Sequence, residues 1–146
     1  MSNDSKCDVT AKVSYPFRKP VEGKVVVVLD YRVNNRGLEL INTRSRALCR
    51  HEIHEILITD DREASPGRIV DPMSLVCFVE IINGGLILVG DKVTANGEII
   101  GYVAGYDETH FPNHINIILY NSQRLTGLDI NIQIGDEVLF LNCDQD

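Results

Sequence analysis

The chain has 146 residues, 44% hydrophobic and 24% charged, which is the composition of one globular domain rather than of a disordered segment. Its formal net charge of −7 comes without a basic cluster, so nucleic acid is not expected as a partner. No secretory signal begins the sequence, and no apolar run is longer than the five residues of Val25–Leu29, which is far too short to span a membrane. We therefore expect a single cytoplasmic domain over residues 1–146, with loose termini at about 1–8 and 143–146.

The four cysteines are far apart in the sequence and include no CxxC pair. They are Cys7, Cys49, Cys77 and Cys143. Such spacing fits neither a zinc knuckle nor a disulfide framework, so we expect reduced thiols. Cys77 lies inside an apolar run and is predicted to be a small core residue.

The first predicted element is a strand over residues 24–33, where β-branched and aromatic residues form an apolar block that ends in alternation. Residues 34–37 read NNRG and tolerate positive φ. Alternation resumes at residues 38–42, which predicts a hairpin.

Residues 45–58, SRALCRHEIHEILI, are the one predicted helix. The apolar residues that recur at helical spacing are Ala47, Leu48, Ile53, Ile56 and Leu57. As a strand, the segment would place His51, Ile53 and Glu55 on one face, and such a mixed face is less consistent with packing on a core. A polar loop ending in Pro66-Gly67 follows the segment.

The rest of the chain is predicted to be short strands separated by turns. The strands are expected at residues 75–82, 86–89, 92–95, 98–104, 115–120, 128–132 and 136–141. A tight turn at residues 83–85 predicts one hairpin, and Asn96-Gly97 is the strongest hairpin signal in the chain. Strands this short suggest a mostly β fold, a small closed or partly open antiparallel β-barrel with one short helix, because closure removes exposed edges.

All four histidines lie in two short stretches, CRHEIHE and DETHFPNH. They are His51, His54, His110 and His114. On a helix, His51 and His54 would share a face with Glu55 in reach, a spacing that suits zinc, iron or manganese. If the two stretches meet in the fold, all four imidazoles become candidate metal ligands.

The second stretch also carries the groups expected to bind a ligand. His114 and Asn116 project from one face of a predicted strand, and Pro112 restricts the loop before it. The predicted ligand-binding residues are Asp107, Thr109, Asn113 and Asn116. Since such residues are also ordinary in turns, a metal site, a metal-free polar pocket and a purely structural loop are all consistent with the pattern.

Two carboxylates lie beside histidines in the sequence and are candidate general bases. Glu52 precedes His54 by two positions, and Glu108 precedes His110 by two positions. Either could accept a proton if burial raised its pKa.

Three segments of the second half of the chain share a pattern with a known family: Cys77-Phe78-Val79, residues 105–112 (GYDETHFP) and residues 134–140 (IGDEVLF). With these segments the chain resembles the glucitol/sorbitol-specific IIA component of the bacterial sugar phosphotransferase system. The resemblance implies a small β-barrel. That family carries its phosphoryl group on a histidine just after the Cys-Phe segment, whereas residues 79–82 here read VEII, so phosphotransfer is not implied. The whole chain also resembles small bacterial proteins grouped under unknown function.

These features predict a protein that binds a small polar metabolite where the two histidine stretches meet. As an enzyme, it would use a metal to polarise a carbonyl or activate water. The alternative is a non-catalytic assembly or regulatory module, which predicts a homo-oligomer. A phosphocarrier labelled on His110 or His114 is the third possibility. The prediction depends on the two stretches lying side by side in the folded chain.

Overall fold

A computed structural model describes residues 18–143, and every regular element in that range is a strand. The strands are β1 (Val21–Val33), β2 (Leu38–Glu39), β3 (Ser45–Leu48), β4 (Ile53–Thr59), β5 (Ile69–Val70), β6 (Met73–Ile81), β7 (Gly85–Leu88), β8 (Lys92–Ala95), β9 (Glu98–Asp107), β10 (Asn116–Tyr120) and β11 (Glu137–Leu141). The mostly β prediction is confirmed. Within this range the chain has no helix that could cross a membrane.

Seven strands form a sheet that closes on itself, in the order β9-β10-β4-β6-β1-β11-β8, with β8 pairing back onto β9. Two small sheets, β2-β5 and β3-β7, complete the described fold. The pairing of β10 with β4 is parallel, whereas the other pairs in the closed sheet are antiparallel. The purely antiparallel prediction is therefore wrong at this pair. Parallel neighbours need a long connection, and the chain between β4 and β10 supplies one.

The predicted helix over residues 45–58 is wrong, because this segment forms β3, a turn and β4. His51 adopts φ 77°, a left-handed conformation that no right-handed helix can contain. Residues 54–59 are all buried, since β4 lies between β6 and β10 and both of its faces are covered. A strand covered on both faces loses the simple alternation that would have identified it.

Only one of the predicted hairpins forms as expected. Strands β8 and β9 pair around Asn96 and Gly97, whose positive φ values of 52° and 85° match the turn predicted there. In contrast, β2 pairs with β5 rather than with β1, and β7 pairs with β3 rather than with β6. The hairpins predicted at residues 34–37 and 83–85 are therefore wrong. At both places the chain turns away to pair with a segment distant in sequence.

The predicted strand at residues 128–132 is also wrong, because these residues form consecutive turns. The register of β1 against β6 shifts between Val28 and Tyr31. The neighbouring turn segment fills this break, since the N–H of Gly127 donates to the carbonyl of Leu75 at 3.3 Å. These turns therefore satisfy strand groups that the interrupted ladder leaves unpaired.

The cysteines differ in their chemical state. Cys49 and Cys77 are free thiols, as expected, whereas Cys143 is disulfide-bonded, so the prediction of a reduced thiol is wrong there. Burial, with a smaller contribution from the charge of Glu55, raises the pKa of Cys77 to about 12. Cys77 is thus the inert core residue that its apolar surroundings predict. Cys7 lies outside the described residues.

We expect Gly127→Ala to lower the free energy of unfolding by about 3 kcal/mol or more, because the new methyl group would clash with fixed backbone. A Cβ at this position would lie 2.0 Å from the carbonyl oxygen of Val76. Urea unfolding measures the loss. Gly97→Ala is the matched control, with φ +85° but no atom within 4 Å of the new Cβ. The control should cost about 1 kcal/mol, and equal losses in the two variants would contradict this description of the turn segment.

Candidate functional site

The parallel pairing of β4 with β10 brings the two histidine stretches together. Asn116 lies directly opposite Glu55 in the register. The N–H of Ile115 donates a 3.1 Å hydrogen bond to Nδ1 of His54. On the same side as Glu55, His114 Nε2 lies 3.7 Å from Glu55 Oε1. The two stretches therefore lie side by side, as expected, with His54 of the first and His114 of the second at the place where they meet.

A row of side chains crosses four adjacent strands at this point. Asp107, Asn116, Glu55 and Phe78 are successive register partners on β9, β10, β4 and β6. Alternation along the strands places this row on the face opposite to the main apolar core, which contains their sequence neighbours such as Ile56. We call Glu55, Asp107, His114 and Asn116 the polar cluster. Glu55 is 5% exposed, Asp107 3% and Asn116 0%.

Asp107 organises the loop that follows β9. Its Oδ1 accepts 3.0 Å hydrogen bonds from the backbone N–H of Thr109 and from Nδ2 of Asn116. Its Oδ2 accepts a further 3.0 Å bond from the Thr109 hydroxyl. Asp107 and Thr109 were both predicted to bind a ligand. Their side chains instead form hydrogen bonds that shape the loop. The other amide atom of Asn116, Oδ1, is buried and has no hydrogen-bond partner within residues 18–143.

The ring of His114 is fixed on three sides. Asn113 Nδ2 donates to His114 Nδ1 at 2.9 Å, which leaves Nε2 as the N–H of the neutral ring. Phe78 meets the ring edge-on with centroids 5.2 Å apart, and His110 stacks on it at 5.0 Å. His114 Nε2 is buried and, among the described residues, lacks a hydrogen-bond partner, because Glu55 Oε1 is too distant at 3.7 Å.

Burial shifts the two central groups in opposite directions. Desolvation raises the pKa of Glu55, although the charges of Arg36 and His110 oppose the shift. Desolvation lowers the pKa of His114, and the nearby His110 and His54 add to that shift. Both changes favour the uncharged form, because a charge is costly in a site that excludes water. The arrangement is therefore a carboxyl group and an imidazole that both favour the uncharged form. The carboxyl group can give or take a proton, and the imidazole offers its Nε2–H as a hydrogen-bond donor.

The two carboxylates predicted to act as general bases, Glu52 and Glu108, are both exposed, so the burial on which that prediction depended is absent. Desolvation raises the pKa of Glu52, but the hydrogen bond from the Cys49 N–H and the hydrogen bond and charge of His54 outweigh it, so the pKa is lowered overall. Glu52 Oε1 accepts from that N–H at 2.9 Å and from His54 Nε2 at 2.9 Å. Glu108 is exposed and pairs with Arg46. Burial instead raises the pKa of Glu55.

His51 lies apart from the polar cluster. Its Nδ1 is 3.2 Å from Glu80 Oε2, and 70% of its side chain is exposed. In the part of the chain that the structure describes, no group of three or more His, Cys, Asp or Glu side chains is arranged to hold a metal ion. The zinc, iron or manganese site predicted at His51, His54, His110 and His114 therefore stays a prediction, and the function below is argued from the protein groups themselves.

Sequence reasoning gave Glu55 only a secondary place in the site. A signal for its importance was present, since Glu55 begins the stretch EILIT and is the one charged residue in it. A carboxylate at the end of an apolar strand is rarely buried unless it is paired with another group. The contribution of Arg36 carries no such signal, because it comes from a segment distant in the sequence.

Residues 15–141 match the model of DUF6917, a family of unknown function. The chain belongs to this family. No curated protein and no solved structure matches it. The matched range includes every described strand and the whole polar cluster.

We expect Glu55→Gln to stabilise the protein at about pH 8, by roughly 1 to 3 kcal/mol, the usual cost of leaving a buried polar group poorly paired. Since folding raises the pKa of Glu55 above its ordinary value of 4.5, this carboxyl costs stability as the pH rises through that range. The gain should shrink as the pH falls toward 4.5. Urea unfolding over a pH series measures it.

Glu52→Gln is the control for this prediction, because the pKa of Glu52 is lowered by folding. Its stabilising contribution is present above the ordinary pKa and is lost in acid, so the substitution should weaken the protein slightly at about pH 8. A Glu55→Gln variant that is less stable than the parent at every pH would contradict the electrostatics described for Glu55.

Proposed function

We propose that this protein binds a small, neutral, polar metabolite at the polar cluster through a hydroxyl or primary amide group, that the N–H of His114 donates a hydrogen bond to it, and that Glu55 exchanges a proton with it. The observation that carries the proposal is a pair of buried atoms near Glu55, His114 Nε2 and Asn116 Oδ1, for which the described residues supply no hydrogen-bond partner. A buried polar atom without a partner costs about 1 to 3 kcal/mol, so a ligand that satisfies both atoms gains affinity.

The chemistry of these two atoms selects the ligand. His114 Nε2 offers an N–H donor, because Nδ1 already accepts from Asn113. Asn116 offers an acceptor, because its Nδ2 already donates to Asp107. A hydroxyl or primary amide can accept from the first and donate to the second. A carboxylate has no hydrogen to donate to Asn116 Oδ1, and an ammonium group has no lone pair for His114.

The site is held in place before any ligand arrives. The bond from Ile115 N–H to His54 fixes the backbone beside His114, and Asp107 fixes the amide of Asn116. A binding group that is already oriented loses little entropy when the ligand binds, which supports specific recognition.

A cavity beside the polar cluster could hold the remainder of the ligand. Its volume is about 440 Å³, within the range of small-molecule sites. Its walls include Asp107, Glu108 and Thr109 on one side and residues 39–42 on the other. The side-chain oxygens of Glu39 and Asn42, which also line this cavity, suit a ligand that carries further hydroxyl groups.

The electrostatics support a proton-transfer role as well as binding. A raised pKa brings the carboxyl group of Glu55 closer to neutral pH, where a general acid or base works best, and a lowered pKa keeps the His114 ring neutral with Nε2–H as a donor. The predicted transformation of the metabolite is therefore assigned to Glu55 as the proton-transfer group and to His114 as a hydrogen-bond donor, rather than to Glu52 and Glu108.

We expect a panel of sugars, polyols and primary amides to contain compounds that raise the melting temperature of the purified full-length chain. Glu55→Gln and His114→Gln should each weaken the affinity for such a compound by about tenfold or more, the effect of losing one hydrogen bond to a polar ligand group. Thermal shift identifies the compound and isothermal titration calorimetry measures the affinity.

His51→Gln is the matched control, because the same substitution is made at an exposed histidine that contacts Glu80 and not the polar cluster. It should leave the affinity unchanged. Equal affinity in the parent, Glu55→Gln and His114→Gln proteins would contradict the proposal, as would a panel in which only carboxylates or amines bind.

A further inference from the structure

A second pocket, built from different residues, lies on β9 and β10. Tyr102 and Tyr120 are direct register partners in this antiparallel pair. Both side chains therefore project from the same face, with Cβ atoms about 5 Å apart. Ala104, the next small residue along β9, also lines the pocket, whose volume is about 290 Å³. Both tyrosines line the pocket and so offer aromatic surface to a small planar molecule.

Two arginines from separate loops line the same pocket, Arg44 just before β3 and Arg62 in the loop after β4. The chain has 14 basic and 21 acidic residues, so carboxylate partners are plentiful. The arginines that pair with carboxylates are Arg18, Arg32, Arg46 and Arg124. Within residues 18–143, no ion pair or hydrogen bond engages the side chain of Arg44 or Arg62. Among the described residues, Glu63 is the one carboxylate lining the pocket, which leaves a local excess of positive charge.

The backbone holds both arginines in position. The carbonyl of Arg44 accepts a 2.8 Å hydrogen bond from the N–H of Val89. The loop that carries Arg62 is closed by a 2.9 Å bond from the Glu63 N–H to the side chain of Asp61. Fixed attachment points lower the entropy that the guanidinium groups lose when they bind an anion.

We propose that this pocket binds a small molecule that joins an aromatic or similarly planar body to one oxyanion, a carboxylate or a phosphate. The planar body would lie against Tyr102 and Tyr120, and the oxyanion would accept hydrogen bonds from Arg44 and Arg62, whose planar donors suit both groups. The proposal shares no residue with the polar cluster and does not rest on the function proposed for it.

The test is a titration of the purified full chain with phenyl phosphate, benzoate and inorganic phosphate, followed by ¹H–¹⁵N NMR. Either or both of the aromatic anions should bind and shift the signals of Tyr102 and Ala104, and inorganic phosphate should bind more weakly because it lacks the ring. The stronger of phenyl phosphate and benzoate identifies the oxyanion. Arg44→Gln and Arg62→Gln should each raise the dissociation constant by about tenfold or more, and Tyr102→Ala should also raise it.

Arg50→Gln and Arg68→Gln are matched controls, because they remove the same charge from exposed positions that do not line the pocket. They should change the dissociation constant by less than about twofold. An equal loss in all four arginine variants would show a general charge effect and overturn the proposal. Two further results would overturn it, namely binding of neither aromatic anion and binding of inorganic phosphate as tight as that of the aromatic anions.

Discussion

The candidate site depends on the parallel pairing of β4 with β10. This pairing sets Asn116 opposite Glu55 and joins two segments about 60 positions apart in the sequence. The hydrogen bond from Ile115 N–H to His54 secures it at the end where the ligand is proposed to bind. Without the pairing, the loop that carries His114 would have no fixed relation to Glu55. The functional proposal is thus a consequence of strand order more than of any single residue.

Burial at this pairing produces a site that costs stability. Glu55 and Asn116 lie in the wall of the fold, where apolar side chains would pack without unpaired polar atoms. Proteins keep such groups mainly where binding or chemistry needs them, because a perturbed carboxyl and imidazole are of little structural use. The same reasoning separates Asp107, whose two oxygens both accept hydrogen bonds from Thr109 or Asn116, from Asn116, whose Oδ1 has no partner among the described residues.

Much of the fold follows from local signals in the sequence, whereas the strand partners do not. Alternation and turn residues act over a few positions, so the β class and the Asn96-Gly97 hairpin could be predicted. A strand buried on both faces has no clear period, which is why residues 45–58 read as a helix. In the site, the histidine stretches are visible as local concentrations of polar groups. The approach of His114 to Glu55 is not, because it depends on a pairing between distant strands.

The most direct test of the central claim is an NMR pH titration of the His114 ring and the Glu55 side-chain carbon. The account predicts that His114 titrates below its ordinary value of 6.5 and carries its hydrogen on Nε2, while Glu55 titrates above 4.5. The opposite pattern, with His114 raised and Glu55 lowered, would mean that the two groups form a charged ion pair. That result would contradict the neutral donor and acceptor site on which the proposed function depends.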